Sequence, residues 1–180
     1  MAVDGVYGGP GAAGRPGWFV IDAAPLSVLL EEIAKGTASG TLGLPQFAPI
    51  RISLNGDVGL TELLQRTLTG SAIPQIRIEA LNSNNGLVYS IDLANVTVVS
   101  LEDPATSGFN LELDFQRVAV TSVVPGQAPV STVYDRVTET AGGPAIPAPV
   151  VPTTGTTPVP ASSFFIALAG VEGEAGATRP

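Results

Sequence analysis

The side chains that could carry out chemistry in this chain are carboxylates, because the sequence contains no histidine and no cysteine. Their absence excludes the Ser-His-Asp and Cys-His arrangements of nucleophilic catalysis and the usual zinc sites. Carboxylates in pairs can act as general acid and general base. Three pairs are candidates for this chemistry: Glu31-Glu32, Glu102-Asp103, and Glu112 with Asp114.

Each of these carboxylate pairs also has a simpler structural explanation. The first pair is expected to be a solvated face. The second precedes Pro104 in a turn, where Asp is favoured because its side chain bonds the backbone. Glu112 and Asp114 alternate along the wet side of a strand. We therefore predict that the protein is not an enzyme, with no catalytic residue and no cofactor.

Two polar loops carry oxygen atoms that could hold Ca²⁺, at Asn82–Gly86 and Glu102–Gly108. Neither loop has the spacing of an EF-hand, and turn formation explains both compositions. The triplet Asn95-Val96-Thr97 matches a glycosylation sequon but lies in the middle of a predicted strand. No metal site is predicted.

The charge pattern excludes a nucleic-acid partner. The formal net charge is −8, the one lysine is Lys35, and the arginines are scattered singly, whereas nucleic-acid binders cluster their basic residues to displace counterions. No segment approaches the ~20 apolar residues of a membrane-spanning helix, so membrane insertion is not expected. Excess negative charge instead suits a self-associating protein that must stay in solution.

One short helix is predicted at residues 57–69. Asp57 is a candidate N-cap and Gly70 ends the segment. A second segment, residues 26–35, fits one or two helical turns and a strand about equally well. The leucines that share one face of the first helix are Leu60, Leu63, Leu64 and Leu68.

Alternating apolar and polar residues predict antiparallel strands with one wet face over most of the chain. The clearest alternation runs through residues 109–120. The fold class is therefore mainly β, a small antiparallel barrel or sandwich with one embedded helix. The other predicted strands are residues 18–22, 46–54, 73–81, 87–101 and 129–140.

The composition divides the chain into four parts. Residues 1–17 are rich in Gly, Ala and Pro and are predicted to be a flexible N-terminal arm. Residues 18–140 are predicted to form the barrel domain. Residues 141–161 are rich in Pro, Thr and Gly and should be an extended linker. Residues 162–180 contain a predicted strand that cannot be stable alone and must join a sheet.

The order of elements from Phe47 to about Thr140 resembles the Hcp family, the tube proteins of type VI secretion systems. The resemblance rests on IRISL, the helix LTELLQRTLTG, IPQIRIEAL, the long strand YSIDLANVTVVSL, the loop EDPATSG, FNLELDFQRVAVTS and VYDRV. It covers about half of the chain. It implies a barrel that forms hexameric rings with itself, and it allows an exported cargo as a partner.

The strand that opens the chain in that family resembles FFIALAGVEGE, which here lies at residues 164–174. The first strand therefore reads as displaced to the C-terminus, and two arrangements stay open. The strand closes its own barrel, or it enters the barrel of a neighbouring subunit by strand exchange. Exchange is preferred, because a Pro-stiffened linker suits a span between subunits. The donor residues would be Phe164, Phe165, Ile166, Leu168 and Val171, and the acceptor groove would be walled by Trp18, Val20 and Ile21.

The function predicted from these features is a structural subunit that assembles into an extracellular tube or filament. The alternative is an Hcp-like ring or carrier of exported effectors whose C-terminal strand closes its own barrel. No signal peptide is visible at the start of the sequence, since the first residues lack a basic segment followed by an apolar one.

Overall fold

A computed structural model gives the conformation of most of the first 152 residues. The predicted donor residues Phe164, Phe165, Ile166, Leu168 and Val171 lie outside the residues that the structure describes. The described ranges are 1–9, 14–21, 28–32, 42–54, 59–102 and 109–152.

The described chain is mainly antiparallel β-structure with one short helix, which confirms the predicted fold class. Its elements are β1 (Ala2–Val3), β2 (Val28–Glu32), β3 (Leu42–Phe47), β4 (Ile50–Leu54), α1 (Leu60–Thr69), β5 (Ile73–Leu81), β6 (Leu87–Glu102), β7 (Phe109–Ser122), β8 (Val130–Asp135) and β9 (Thr140–Ala141).

The main sheet has seven strands in the order β1-β5-β6-β7-β8-β9, with β4 also paired to β7. Strands β4 and β8 share one side of β7, because β4 pairs with residues 109–113 and β8 with residues 117–122. Strands β2 and β3 form a separate two-stranded sheet.

Two pairs of backbone contacts join the edges of this sheet into a barrel. The backbone N–H of Phe19 donates to the carbonyl of Met1 at 2.8 Å, and the amino group of Met1 donates to the carbonyl of Phe19 at 2.7 Å. Ile21 forms an antiparallel bridge with Leu54. Since Met1 adjoins β1 and Leu54 belongs to β4, the segment 18–21 closes the barrel between β1 and β4.

The core side chains of β6 change from odd to even positions within the strand. Ile91 and Leu93 are buried in the core on one side of Asn95, and Val96 and Val98 on the other. Asn95 has a positive φ of 51°, a left-handed conformation that Asn tolerates better than most residues. This one residue rotates the strand, so that odd-numbered side chains face the core before it and even-numbered side chains face the core after it.

In the neighbouring strands β5 and β7, the core-facing positions also change between odd and even, at the residues that pair with Val96. Val96 pairs with Ile73 of β5 and with Phe115 of β7, and all three side chains are buried in the core. The next core side chains along those strands are Ile76 and Val118, each three residues away. The sheet therefore bends along one row, which lets it wrap around a single core.

The helix α1 differs from the predicted helix at its start. It begins after Gly59, which is left-handed with φ 75° and caps the helix without a side-chain bond. Asp57 lies outside the described residues and is not the N-cap. The predicted apolar face is divided: Leu63 is buried, whereas Leu64 and Leu68 are 40% and 78% exposed.

The first residues do not form the predicted flexible arm in the part that the structure describes. Strand β1 pairs with β5, and Ala2 and Val3 are fully buried. Met1 and Val6 belong to the same core. Four apolar side chains in six residues bury enough surface to order the segment despite the glycines that follow.

Two predicted strands are each divided into two shorter ones, the first at a proline and the second at a tight turn. Residues 46–54 are divided between β3 and β4 at Ala48-Pro49, because proline has no N–H for a sheet ladder. The segment 129–140 is divided by a turn at residues 136–139. Residues 28–32 are a strand, which decides between the two alternatives for that segment.

Candidate assembly surfaces

The predicted acceptor wall is part of the closed barrel. Ile21 bridges Leu54 on one side, and Phe19 pairs with Met1 on the other. Val20 is 47% exposed on the surface between them, and Trp18 is half-buried. Within the described residues, this segment already has a strand neighbour on both sides, so the structure shows no vacant strand position beside it.

The first part of the predicted linker is packed against the barrel. We call residues 142–152 the strap. Its Ile146 is 5% exposed and contacts a socket formed by Ala94, Ala119 and Val133, on the outer face of β6, β7 and β8. The guanidinium of Arg117 donates to the carbonyl of Pro144 at 2.6 Å. The strap thus crosses the sheet instead of leaving the molecule.

The strap ends on the N-terminal segment. The N–H of Gly5 donates to the carbonyl of Val150 at 2.9 Å, and the N–H of Val150 donates to Oδ1 of Asp4 at 2.8 Å. A Cβ placed on Gly17 would lie 2.2 Å from the carbonyl oxygen of Pro152. The chain therefore leaves the described barrel beside β1, at the opposite side of the sheet from β8.

Strand β8 has an open edge in the described structure. Strand β9 covers only the last two residues of β8, and the N–H of Gly142 donates to the carbonyl of Val133 at 2.8 Å. Alternate residues of a strand direct their polar backbone groups to the same edge. The N–H and C=O of Ser131 therefore point outward, and no described residue pairs with Val130–Thr132 there.

A cleft lined by aromatic and charged side chains lies at the other end of β8, beside the residues that β9 covers. The ring of Phe47 lies 5.2 Å from that of Tyr134 and 5.8 Å from that of Phe115, measured between centroids. The guanidinium of Arg136 lies 5.1 Å from the Phe115 ring and is paired with Asp114. The cleft lies between β3 and the end of β8. Its lining residues are Pro45, Gln46, Phe47, Tyr134, Arg136 and Glu139.

Exposed apolar side chains lie towards both ends of the barrel. One group comes from α1, next to the start of β5, where Leu64 and Leu68 face outward. The other group lies about 26 Å away along β5, around the turns that precede β6 and β8. Its members are Val88, Tyr89, Val124 and Val130, which are between 40% and 70% exposed.

Two of the carboxylates considered for catalysis, Glu112 and Asp114, are paired with arginines. Oε1 of Glu112 lies 3.7 Å from a guanidinium nitrogen of Arg51, and Asp114 is paired with Arg136. The side chains of Glu31 and Glu32 and all of Asp103 lie outside the described residues. In the described ranges no group of acidic residues has the geometry of a metal site.

The loop Asn82–Gly86 is a turn held by its own side chain. Oδ1 of Asn82 accepts hydrogen bonds from the N–H groups of Asn84 and Gly86, each at 2.9 Å. This is the Asx-turn chemistry that its composition indicates. No helix of the described chain has the length and hydropathy to span a membrane.

Three ion pairs lie on the outer face of the sheet in the part of the chain that the structure describes. The pairs are Arg15 with Glu79 at 2.6 Å, Arg77 with Asp92 at 2.5 Å and Arg117 with Asp135 at 3.6 Å. Asp92 is 4% exposed, and its pairing with Arg77 offsets part of the cost of burial.

The buried α-amino group of Met1 lies near this network. Burial lowers its pKa from 8.0 to about 6, the charge of Glu79 opposes that shift, and Arg15 adds to it. The charged form of this amine is therefore disfavoured in the folded chain.

A family model described as "Type VI secretion system effector, Hcp" matches residues 1–122, more than half of the 180-residue chain. The chain belongs to the Hcp family. The match starts at residue 1, so it includes β1 in its N-terminal position. The predicted displacement of the family's first strand to residues 164–174 is not tested by the described residues and stays a prediction.

Solved structures share the Hcp fold with this chain at low identity. A structure titled "Structure of a type six secretion system protein" superposes with a TM-score of 0.69 at 14% identity, covering 78% of this chain and 96% of that one. Hcp1 from Salmonella typhimurium gives 0.64 at 16% identity, covering 78% and 95%. A type VI secretion system effector from Yersinia pestis gives 0.60 at 14%, covering 74% and 95%. No curated protein sequence matches the chain.

The strap and its socket are the surfaces that sequence reasoning missed in this Hcp-family chain. The signal for them was weak. Ala94 and Ala119 are small residues on the outer face of two long strands, and Ile146 is a large apolar residue in a Pro-rich segment. Their proximity depends on the register between β6 and β7, which the spacing within either strand does not define.

Proposed function

We propose that this Hcp-family chain is a structural subunit that assembles with itself into an extracellular tube or filament. The proposal is supported by one feature of the barrel above all. Exposed apolar side chains lie towards both of its ends, Leu64 and Leu68 at one and Val88, Tyr89 and Val124 at the other.

Two different patches at opposite ends suit contact between the top of one copy and the bottom of the next. Such a heterologous contact does not pair a surface with itself, so it propagates into rings or filaments. Burying these side chains between copies would remove apolar surface from water at about 25 cal/mol per Å². Stacking of this kind, in rings or in a helix, is the assembly that we propose.

Exchange of the C-terminal strand between neighbouring subunits is the second part of the proposal. Residues 162–171 contain no charged side chain and alternate Phe164, Ile166 and Leu168 on one face of an extended segment. The described barrel closes through Phe19 and Ile21. This closure favours a host sheet outside the groove predicted at Trp18, Val20 and Ile21.

A second candidate function is that of an exported ring or carrier. The family description includes the word effector, which fits a chain that leaves the cell as a discrete ring, with or without a cargo. In that arrangement the C-terminal strand would fold back onto its own barrel.

Sedimentation and negative-stain microscopy of the full chain test the proposal. Over a hundredfold range of protein concentration we expect the sedimenting species to grow into long regular tubes or filaments. Discrete rings at every concentration would favour the second candidate. Monomers at every concentration would contradict both.

A further inference from the structure

We infer that the open edge of β8 at Val130–Thr132 receives the C-terminal strand of a second copy of this chain. The inference rests on the proposed self-assembly and names its acceptor site. It replaces the groove at Trp18, Val20 and Ile21, where the described barrel has both strand neighbours in place.

The edge of β8 offers backbone groups that a strand could use. Ser131 directs its N–H and C=O away from β7, because the carbonyl of Val133 points the same way and bonds Gly142 of the chain that leaves β9. Thr121 and Ser131 are joined by a side-chain hydrogen bond of 3.0 Å, so this part of the edge has a defined register on β7. An added strand would gain two backbone bonds at Ser131 alone.

Apolar surface lies on the inward side of the same edge. Val130 is 70% exposed, and Tyr134, four residues on, faces the same side of β8. A side chain on one face of a bound strand, such as Ile166 or Leu168, would cover Val130.

The path of the strap favours a second copy as the source of the strand. It crosses the outer face from β8 to β1 through the Ile146 socket and holds Pro152 beside Gly17. The way back to its own β8 edge passes four strand spacings, about 19 Å, over a face that the strap itself occupies. Residues 153–163 reach at most about 40 Å when extended, so their length permits either a return or a neighbouring copy, and only the return must cross the face that the strap covers. A second copy with its β8 edge next to this exit needs no such reversal.

Substitutions at Ser131 test the edge in the full-length protein. Ser131→Pro removes an outward N–H and leaves the ladder to β7, since proline is tolerated on the free side of an edge strand. We expect it to lower the assembled mass fraction at least tenfold in sedimentation, with an unchanged circular dichroism spectrum. The matched variant Ser131→Thr keeps the N–H and should assemble as the parent chain does. Equal assembly of both variants would overturn the inference and leave the proposed function intact.

Cysteine cross-linking tells the two copies apart, and the natural chain contains no cysteine that would interfere. Chains carrying Ser131→Cys are mixed with chains carrying Ile166→Cys or Ala167→Cys, which sample both faces of the donor strand. A disulfide-linked dimer between the two kinds of chain is expected under oxidation. An internal disulfide in the double variant at high dilution would mean self-closure and would overturn the inference. If the parent chain forms no assembly at all, both the proposed function and this inference are wrong.

Discussion

The side-chain amide of Asn95 donates a hydrogen bond of 2.9 Å to Oε1 of Gln116 across β6 and β7. Asn95 is the residue of positive φ at which the buried positions of β6 change parity. Gln116 lies between Phe115 and Arg117, where β7 makes the same change. The bond therefore ties the two strands together where the sheet bends.

Replacement of Asn95 by valine should destabilise the protein, although valine is the better strand former. A β-branched residue in the left-handed region costs about 1–2 kcal/mol, and the bond to Gln116 is also lost. Asn95→Gly should cost less, because glycine adopts this conformation freely. Urea denaturation of both variants measures the free energy of unfolding. A valine variant as stable as the parent would contradict the proposed role of the bend.

Truncation of Ile146 should release the strap before it unfolds the barrel. Ile146→Ala removes a buried side chain from the Ala94–Ala119–Val133 socket, at an expected cost of about 2 kcal/mol. Proteolysis should then cut within residues 142–152 several times faster. Val150→Ala is the control, because its side chain is 77% exposed and the change should stay within about 0.5 kcal/mol. Equal protection in the two variants would argue against the socket.

A side chain at Gly17 should displace the end of the strap. Gly17 and Gly14 have similar positive φ values of 81° and 74°, but only a Cβ on Gly17 meets the carbonyl of Pro152. Gly17→Ala and Gly14→Ala each place a side chain on a backbone of positive φ at a similar energetic cost. Any further effect of Gly17→Ala therefore reports the contact between residue 17 and the strap. Amide hydrogen exchange at Val150, which bonds Asp4, should accelerate in Gly17→Ala alone. Similar exchange in both variants would show that the strap end is not held there.

The stability of the 180-residue chain should rise between pH 6 and pH 8. The α-amino group of Met1 has its pKa lowered from 8.0 to about 6 in the folded chain. The unfolded chain therefore binds more protons than the folded chain between pH 6 and pH 8. Protonation of the amine lowers the free energy of unfolding as the pH falls below 8, and the full loss is reached below pH 6. The gain with rising pH is about 2–3 kcal/mol for a shift of that size. The chain has no histidine or cysteine to add another transition in this range.

Urea denaturation at pH 6, 7 and 8 measures that dependence. Reaction of the α-amine with a small acylating reagent at pH 7 gives a second readout, which should be slower in the folded chain than in urea because the amine is buried. A stability that is constant across this range would contradict the burial of the amine.

Charge on the exposed leucines of α1 should prevent assembly without unfolding the barrel. Leu68→Glu changes a side chain that is 78% exposed, so its free energy of unfolding should stay within about 0.5 kcal/mol. The proposed contact between barrel ends would bury that charge without a partner. Val137→Glu, at a site 69% exposed in the turn after β8, is the matched control and should assemble normally. Equal sedimentation of both variants would remove α1 from the interface.

The sequence by itself determined the type and order of the central elements, α1 and strands β5 to β7, because these depend on spacing within a short segment. The alternation of Phe109, Leu111, Leu113 and Phe115 indicated a strand with one buried face, and all four side chains are buried. The absence of histidine and cysteine excluded whole classes of catalytic and metal site. The order of elements also indicated the Hcp family, and the match to its model shows that family.

Only the tertiary structure decided where residues 1–9 and 142–152 lie. Residues 1–9 read as an arm because their glycines are visible in the sequence, while the β5 edge that orders Ala2 and Val3 is more than 70 residues away. Residues 142–152 read as a linker because Ile146 has no local partner, while its socket combines three strands. Contacts between distant segments depend on the register of the strands and on the closure of the barrel, and both are made by residues far apart in the sequence.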